Sequence, residues 1–506
     1  MRKTNTAYRP FGLRITGPTL AAAIVVSGCS VTTEPLSFLQ IEAAADRNLA
    51  SIDIDQEPID GPIGLYEAMA RALKYNLDHR VEIMRIALAQ KEMASATTGM
   101  LPKLMASAGY DARSNENASY SRSIFSNSLS AEPTTSAEKN NLSADLKFSY
   151  NVLDFGLSYI RAKQAADKAL IAEELRRRVI VRIVEEVRTA YWKALSADQL
   201  LDGFNRLEGR VEETLADNRR LRSSGQTSPL ATLTYERELV DIRREIGQLE
   251  RQLTTAKLEL AGLMGLKPGT PYKIIEPKRT IVDLDTQLQD IDALLRIAMT
   301  NRSEFREILY KERINEAETR AALLQALPTA SLTAGIAYDS NDLLYNSNWA
   351  LLGTRVGWNA MKLFHYPARR NMVKADRKLL TAQEKALTMA IVTQVYVAKA
   401  RYAHLRREAI DTAEFLDIQR QILRQMQAGM AASTQSQQTL IREEMNTLVA
   451  SSRFDVAYAD LQTAFANVYA ALGLNPWDED VDLDSSLTEI AAALRLAWRN
   501  RGDLDG

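Results

Sequence analysis

Cysteine and histidine are the residues best suited to covalent, acid–base or metal chemistry, and this chain has very few of them. Cys29 is the only cysteine among 506 residues, which excludes an intramolecular disulfide and a cysteine-rich metal site. The histidines are far apart in the sequence, and they are His79, His365 and His404. The sequence therefore predicts no metal site and no cofactor, and it leaves Cys29 as the one residue whose position suggests a covalent modification.

Cys29 ends a segment with the features of an export signal. Four basic residues precede the apolar run 20–26, which is shorter than the ~20 residues that a membrane-spanning helix needs. The junction Val26-Ser27-Gly28-Cys29 resembles a bacterial lipobox, in which the cysteine is acylated and becomes the new N-terminus. Ser30 instead of Asp at the next position implies, by the same resemblance, sorting to the outer membrane. The alternative is an ordinary signal peptide with an incidental cysteine.

Acidic pairs are the other groups that could do acid–base chemistry. Glu185/Glu186 and Glu443/Glu444 lie in helical stretches with basic neighbours, which favours a solvated or salt-bridged helix face over a catalytic pair. The chain has 63 Lys and Arg against 64 Asp and Glu, so it lacks the basic excess of a nucleic-acid binder. We therefore predict a protein that is not an enzyme and does not bind nucleic acid.

Two halves of the chain repeat one pattern. "RALKYNLDHR" (71–80) is similar to "RIAMTNRSEFR" (296–306), and each opens a helical stretch that stops at a Leu-Pro dipeptide. Pro102 and Pro328 disfavour helix at the preceding residue, so they predict a change from helix to strand in each half.

Residues after each proline alternate between apolar and polar with a period of two. A second alternating segment follows in each half, at 141–152 and at 349–361, so the pattern predicts four strands. A lipid-facing, water-lined barrel wall requires such faces, but a soluble half-buried sheet shows the same alternation. The polar faces, which would line the pore, carry Asp111, Asp145, Lys147 and Arg355.

Long helices follow both strand pairs. The first is predicted over 157–222 and the second over 230–264, with apolar residues at a 3.5-residue period typical of left-handed coiled-coil packing. The helix before the first strand, over 65–98, and the helix 230–264 together match the length of the uninterrupted helix. Two short helices placed end to end could therefore lie along the long one.

Four strands cannot close a barrel. Open sheet edges in a bilayer leave N–H and C=O groups without partners, so a chain of this kind must oligomerise if its strands lie in lipid. Two copies would give eight strands and three would give twelve, and the strand pattern does not choose between these numbers.

The lipobox, the repeated order of helix, two strands and two helices, the segment "YNVLDFG" and the endings "LMGLKP" and "ALGLNP" resemble the outer-membrane factors of the TolC family, lipoprotein branch. The resemblance implies a mainly α protein with a small β part. Three copies would form a twelve-stranded outer-membrane β-barrel continuous with a long periplasmic α-helical coiled-coil barrel. It divides the chain into a signal peptide (1–28), a lipid-anchored segment (29–60), two tandem repeats (61–270 and 285–476) and a tail (477–506).

The resemblance also implies partners, namely a periplasmic adaptor protein and an inner-membrane pump. The adaptor would meet two helix–turn–helix tips, formed by Ser224, Gly225 and Gln226 and by Ala428, Gly429 and Met430. Gly225 and Gly429 are expected in the turns themselves. The stretch after the second tip has no carboxylate, which argues against an acidic gate at the periplasmic entrance. Gln435 and Gln438 would narrow the entrance by hydrogen bonding instead.

Three functions remain open at this point. The first is a passive duct that exports drugs or small toxic compounds in a tripartite efflux system. The second is the same duct in type I protein secretion or polysaccharide export, since the pump chooses the cargo. The third is a periplasmic coiled-coil scaffold lipoprotein with its strands in a soluble domain. The tail contains a short amphipathic helix with Ile490, Leu494, Leu496 and Trp498 on its apolar side, and its packing is left undecided.

Overall fold

The computed structural model describes residues 34–51, 56–224, 228–267, 269–284, 289–431, 437–476, 482–483 and 485–500. The chain divides into two units, Met1–Gln56 and Glu57–Gly506. The described part of the first unit contains helix α1 (Phe38–Ser51), in which no residue is buried. All elements below belong to the second unit.

The first half of the second unit follows the predicted order, with one additional break. Its elements are α2 (Leu65–Tyr75), α3 (Leu77–Thr98), β1 (Lys103–Ala112), β4 (Asn140–Asn151), α4 (Val152–Ser224) and α5 (Pro229–Leu263). The loop between β1 and β4 carries the short strands β2 (Ala118–Ser119) and β3 (Thr134–Thr135). The expected single helix over 65–98 is wrong, because Asn76 has an extended backbone and its side chain caps α3 by accepting from the N–H of Asp78 at 2.9 Å.

The second half has the same order of elements. They are α6 (Ile291–Asn301), α7 (Ser303–Gln325), β5 (Thr329–Asp339), β6 (Asn348–Gly357), α8 (Met361–Ala431) and α9 (Gln437–Ala471), followed by α10 (Leu487–Asn500). Arg302 separates α6 from α7 as Asn76 separates α2 from α3. The long helices α4 and α8 have 73 and 71 residues, or about 110 Å each at 1.5 Å per residue.

The four long strands form one antiparallel sheet in the order β1-β4-β5-β6. The central pair, β4 and β5, joins the two halves of the chain. Strands β1 and β6 are the two edges of this sheet.

Helices α3 and α5 lie along successive parts of α4, as the matched lengths predicted. The part of α4 nearer the sheet meets α3, where Arg182 pairs with Asp78 at 3.2 Å. The part of α4 further from the sheet meets α5, where the side-chain amide of Asn218 donates to the carbonyl of Thr232 at 2.8 Å. Helix α7 packs on α4 and on α8, so the helices below the sheet follow the order of the strands above them.

The main apolar core lies midway along the long helices, and we call it the waist. It contains α2, the middle of α4, the ends of α5 and α9, and α10. Helices α5 and α9 both end with a left-handed glycine, Gly265 at φ 75° and Gly473 at φ 70°, in the dipeptide that the repeated endings share. The next N–H closes each helix end, from Leu266 to the carbonyl of Ala261 at 2.9 Å and from Leu474 to that of Tyr469 at 3.0 Å.

Helix α10 shows where this part of the tail packs. Leu487, Ile490, Leu494 and Trp498 are buried in the waist, and α10 lies against α2. Leu496 is 56% exposed, so its assignment to the apolar side of this helix is wrong.

Candidate functional site

The strand register joins the apolar positions of all four strands into one face. Leu104 lies opposite Phe148 and Ala106 opposite Leu146 between β1 and β4, and Leu146 lies opposite Ile336 between β4 and β5. Between β5 and β6, Ile336 lies opposite Ala350 and Ala334 opposite Leu352. The second unit does not cover this face, since Leu104, Ile336 and Leu352 are 67%, 61% and 79% exposed. A continuous apolar surface of this size marks a contact with lipid or another protein.

The opposite face of the sheet carries the predicted pore residues, and two of them meet. The Lys147 ammonium lies 2.9 Å from a carboxylate oxygen of Asp145, whose other oxygen accepts from the hydroxyl of Ser107 at 2.5 Å. The two charges therefore largely cancel at this point. Ser107 was not identified from the sequence, because a serine in a strand carries no signal of its own.

The other two predicted pore residues lie apart from this pair. Asp111 is on β1 opposite Asn141, near the end of the sheet that carries the loops. Arg355 is on β6 opposite Ser331, at the end that carries the helices. Trp349, which the alternation did not single out, occupies the same face as Asp145, since it lies opposite Ala337, the partner of Asp145 on β5.

Both prolines stand immediately before strands. Pro102 lies between the end of α3 and the start of β1, and Pro328 lies between α7 and β5. At the second junction the indole N–H of Trp358 donates to the carbonyl of Ala326 at 3.1 Å, which ties the end of β6 to the end of α7.

The first helical hairpin is formed by α4 and α5. Ser224 is the last residue of α4, and its hydroxyl donates to the carbonyl of Leu221 at 2.8 Å. Arg219 on α4 pairs with Glu236 on α5 at 2.7 Å, and this hydrogen bond lowers the pKa of the Glu236 carboxyl. Gly225 and Gln226 lie outside the described residues, as does Cys29.

The second hairpin, formed by α8 and α9, differs from the expectation at one glycine. Ala428, Gly429 and Met430 all lie in the last turn of α8, which continues to Ala431. The placement of Gly429 in the connecting turn is therefore wrong, because its backbone is helical. Gln435 lies outside the described residues, and Gln438 is the second residue of α9, where only its backbone is described.

Ion pairs connect the two hairpins above their tips. Arg442 on α9 donates to a carboxylate oxygen of Glu238 on α5 at 2.7 Å, and Glu444 on α9 pairs with Arg210 on α4. Higher up, Asp455 on α9 accepts from the hydroxyl of Ser196 on α4 at 2.9 Å and from Arg279 at 2.5 Å. The second of the two acidic pairs, Glu443/Glu444, is thus part of a helix contact, in line with the salt-bridged helix face expected from the sequence; Glu443 accepts from Gln419 on α8 at 2.7 Å.

Within the described ranges, no group of three or more His, Cys, Asp or Glu side chains could hold a metal ion. None of the helices searched in the same part of the chain is both long and apolar enough to cross a bilayer.

Comparison with known proteins identifies the fold and matches a family model to part of the chain. A search of curated proteins finds no match in sequence. The family model described as Outer membrane efflux protein matches residues 68–266.

Solved structures match along most of the chain. The CusC channel structure is 18% identical with a TM-score of 0.62, over 84% of this chain and 96% of that one. The outer-membrane channel CmeC of Campylobacter jejuni is 13% identical with a TM-score of 0.62, over 93% and 99%. The MtrE outer-membrane channel of Neisseria gonorrhoeae is 16% identical with a TM-score of 0.59, over 84% and 94%.

These matches extend the likeness from short sequence motifs to the fold of most of the chain. Residues 68–266 therefore match the family described as Outer membrane efflux protein, and along most of its length the chain has the same fold as these solved outer-membrane channels.

Proposed function

We propose that this protein is the outer-membrane duct of a tripartite efflux system, through which drugs or small toxic compounds leave the cell passively. The observation that carries the proposal is the four-stranded sheet, whose apolar face is exposed on all four strands and whose edge strands, β1 and β6, each pair with one strand only among the described residues. In a bilayer, that face meets lipid and the edges need strands from other copies.

Three copies would close the barrel with twelve strands, the number that the resemblance to the TolC family implies. The edge strand β1 of one copy would pair with the edge strand β6 of the next. Helix α3 leads into β1 and helix α8 leaves β6. The helix α3 of the first copy would therefore lie beside the helix α8 of the next, and the order of helices would continue around the ring below the barrel.

The polar face of the sheet, with Asp145 and Lys147, would line the passage at the membrane. At the far end, residues around Ser224 and Gly225 and around Ala428, Gly429 and Met430 would meet a periplasmic adaptor, and Gln435 and Gln438 would border the entrance. The inner-membrane pump would choose the cargo, because the passage has no catalytic or metal chemistry assigned to it.

Edge pairing can be tested without disturbing the sheet inside one chain. The N–H of Arg113 donates to the carbonyl of Lys139 at 2.9 Å, so odd-numbered residues of β1 point their N–H groups at β4 and even-numbered ones point theirs at the free edge. Ala108→Pro removes an N–H from the free edge alone, and Ala108→Val keeps it as the matched control.

We expect the purified wild type and Ala108→Val to be trimers by native mass spectrometry and to give stable conductance in planar bilayers. Ala108→Pro should lose both properties while keeping its helical circular dichroism spectrum. A folded wild-type protein that leaves the bilayer silent would overturn the proposed function.

The lipid anchor is a separate part of the proposal. Cys29→Ser should abolish acylation, which intact mass spectrometry detects as the loss of the acyl chains and of signal cleavage before residue 29. An unchanged mass pattern in the variant would remove the lipobox assignment and leave the duct untouched.

A further inference from the structure

The first five turns of α8 are strongly basic. From Met361 to Leu380 they carry six Lys or Arg residues and one acid, Asp376. The corresponding first turns of α4, residues 152–171, carry three basic residues and two acids. The excess is therefore a property of the helix that follows the edge strand β6, and the matching helix of the other half does not share it.

Two of these charges have partners on the neighbouring helix α7. Arg369 pairs with Glu318, and Asp376 accepts from the side-chain amide of Asn315 at 2.7 Å. The five other cations are exposed, and none of them takes part in an ion pair within the described part of the chain; Lys362 lies near the start of the helix, and the other four lie further along it on one side. We call these four the basic stripe, and they are Arg370, Lys374, Arg377 and Lys378.

The hydrogen-bond direction in the sheet fixes which side of the molecule the stripe faces. Arg113, on the polar side of β1, donates to Lys139 at the start of β4. In a strand of L-residues, the face on which a side chain lies determines the side to which the N–H of that residue points, so this hydrogen bond fixes the side of β1 on which β4 lies. Viewed from the apolar face with the loop end up, β4 lies to the left of β1, β5 to the left of β4, and β6 at the far left.

Helix α8 lies below β6, so its neighbour α7 is on its right in this view. Val373 of α8 is buried at that contact, where its carbonyl accepts from Asn315 of α7 at 3.2 Å. In a right-handed helix that runs away from the sheet, residues rotate clockwise as seen from the sheet, by about 100° each. The basic stripe lies about 40° to about 140° clockwise from Val373, and it therefore faces the same side as the apolar face of the strands.

The depth of the stripe matches the boundary of a bilayer. The apolar face of β5, from Ala330 to Tyr338, spans about 27 Å along the strand and about 21 Å along the barrel axis at the usual tilt. This is less than the ~30 Å hydrocarbon core, so exposed apolar residues just below the strands, such as Leu363 and Phe364, must also meet lipid. Arg370 lies about 10 Å further along α8 than Leu363, within reach of the headgroups.

We propose that the basic stripe binds the anionic headgroups of phospholipids in the membrane leaflet at the helix end of the barrel. The proposal rests on the barrel of the proposed function. It commits to phospholipid and not to a second copy, because the facing part of α3 in a neighbouring copy, residues 88–98, offers one acid, Glu92, beside one base, Lys91. Clusters of four or more cations at this position attract anionic lipid surfaces.

The test compares the affinities of two lipids for the intact trimer. Purified full-length protein in detergent is titrated with dioleoyl phosphatidylglycerol or dioleoyl phosphatidylethanolamine, and bound lipids are counted by native mass spectrometry. We expect wild type to prefer phosphatidylglycerol at least about tenfold, and the Arg370→Gln/Lys374→Gln/Arg377→Gln/Lys378→Gln variant to lose that preference.

Two control variants separate local charge from a general effect. Arg420→Gln/Arg424→Gln neutralises exposed cations on the same helix, about 75 Å further from the sheet than the stripe, and should keep the preference. Arg370→Lys/Arg377→Lys keeps the charge of the stripe and should also keep it.

Equal binding of phosphatidylglycerol by wild type and the stripe variant would overturn the inference, as would a wild type without any preference. A stripe variant that falls apart into monomers would assign these residues to contacts between copies and would overturn it too. Conductance of the stripe variant should match that of wild type, so a failure here is distinguishable from a failure of the duct.

Discussion

The guanidinium carbon of Arg188 lies 4.3 Å from the centroid of the Trp498 ring, in the middle of the waist. Arg188 is fully buried, and it also donates to the side-chain oxygen of Gln462 on α9 at 2.7 Å. One cation on α4 thus holds both α9 and α10, which places Trp498 at the point where three helices meet. A desolvated cation over an indole face stabilises such a contact by about 2 kcal/mol.

Trp498→Ala should therefore destabilise the waist by about 3–5 kcal/mol, since it opens a cavity and removes the nearer of the two aromatic rings that Arg188 contacts. Leu496→Ala on the same helix is the matched control and should change stability by less than about 0.5 kcal/mol, because Leu496 is 56% exposed. Denaturant unfolding followed by circular dichroism measures both. Similar losses in the two variants would contradict the packing of α10.

Gly473→Ala should also be strongly destabilising, for two reasons. Gly473 has a φ of 70°, and a Cβ there would lie 2.6 Å from the backbone N of Arg302, at the break between α6 and α7. Gly262→Ala is the matched control, since Gly262 is helical and a Cβ there meets nothing within 4 Å.

We expect the free energy of unfolding to fall for Gly473→Ala and to stay level or rise slightly for Gly262→Ala, by up to about 1 kcal/mol. Equal stability of Gly473→Ala and wild type would mean that the two backbones do not approach as the structure has them.

Glu185, on α4 near the waist, should make stability depend on pH. Burial raises the pKa of its carboxyl to about 7, although Arg302 opposes the shift and Glu186 adds to it. The folded state thus holds this proton more tightly than the unfolded state, whose pKa is about 4.3. The contribution to stability is greatest below the unfolded pKa and is lost as the pH rises from about 4.3 to about 7.

Glu185→Gln should consequently be more stable than wild type at pH 8, by about 2 kcal/mol, and equal to it near pH 4. The measurement is the difference in unfolding free energy between the two proteins across this range. Glu186→Gln, an exposed neighbour that lies 4.0 Å from Arg182, should show no such pH-dependent gain.

Charge selectivity tests the pair on the polar face of the sheet. Because Lys147 and Asp145 neutralise each other at 2.9 Å, Lys147→Gln should shift the reversal potential toward cation preference, and Asp145→Asn toward anion preference. The double variant should return close to wild type in a bilayer with a salt gradient. No shift in either single variant would show that this face does not line the passage.

Much of the fold follows from local signals that one chain already carries. The prolines and the period of two predict four strands because a strand exposes alternate residues to different solvents, and the register of Leu146 between Ala106 and Ile336 bears this out. The 3.5-residue period predicts the long helices in the same way. The break at Asn76 was missed because apolar residues continue through it, although Asn two residues before Asp is compatible with a helix N-cap.

The details of the candidate site depend on contacts that sequence does not display. Gly429 was expected in a turn, but a glycine costs a helix only about 1 kcal/mol, and neighbouring helix formers carry α8 past it. Trp349 reaches the polar face of the sheet because register, not hydropathy, decides the side that a residue occupies. Leu496 points outward for the same kind of reason, since its helix turns Trp498 inward.

The ammonium of Lys74, on α2, donates to the carbonyl of Ser485, just before α10, at 2.7 Å across 411 positions of chain. The two helices that complete the waist therefore come from opposite ends of the second unit. During synthesis α10 emerges about 400 residues after α2, so the part of α2 that α10 covers stays exposed while the intervening chain is made. The waist is accordingly incomplete until α10 has been made, and a stop codon before residue 487 would leave it without one of its helices.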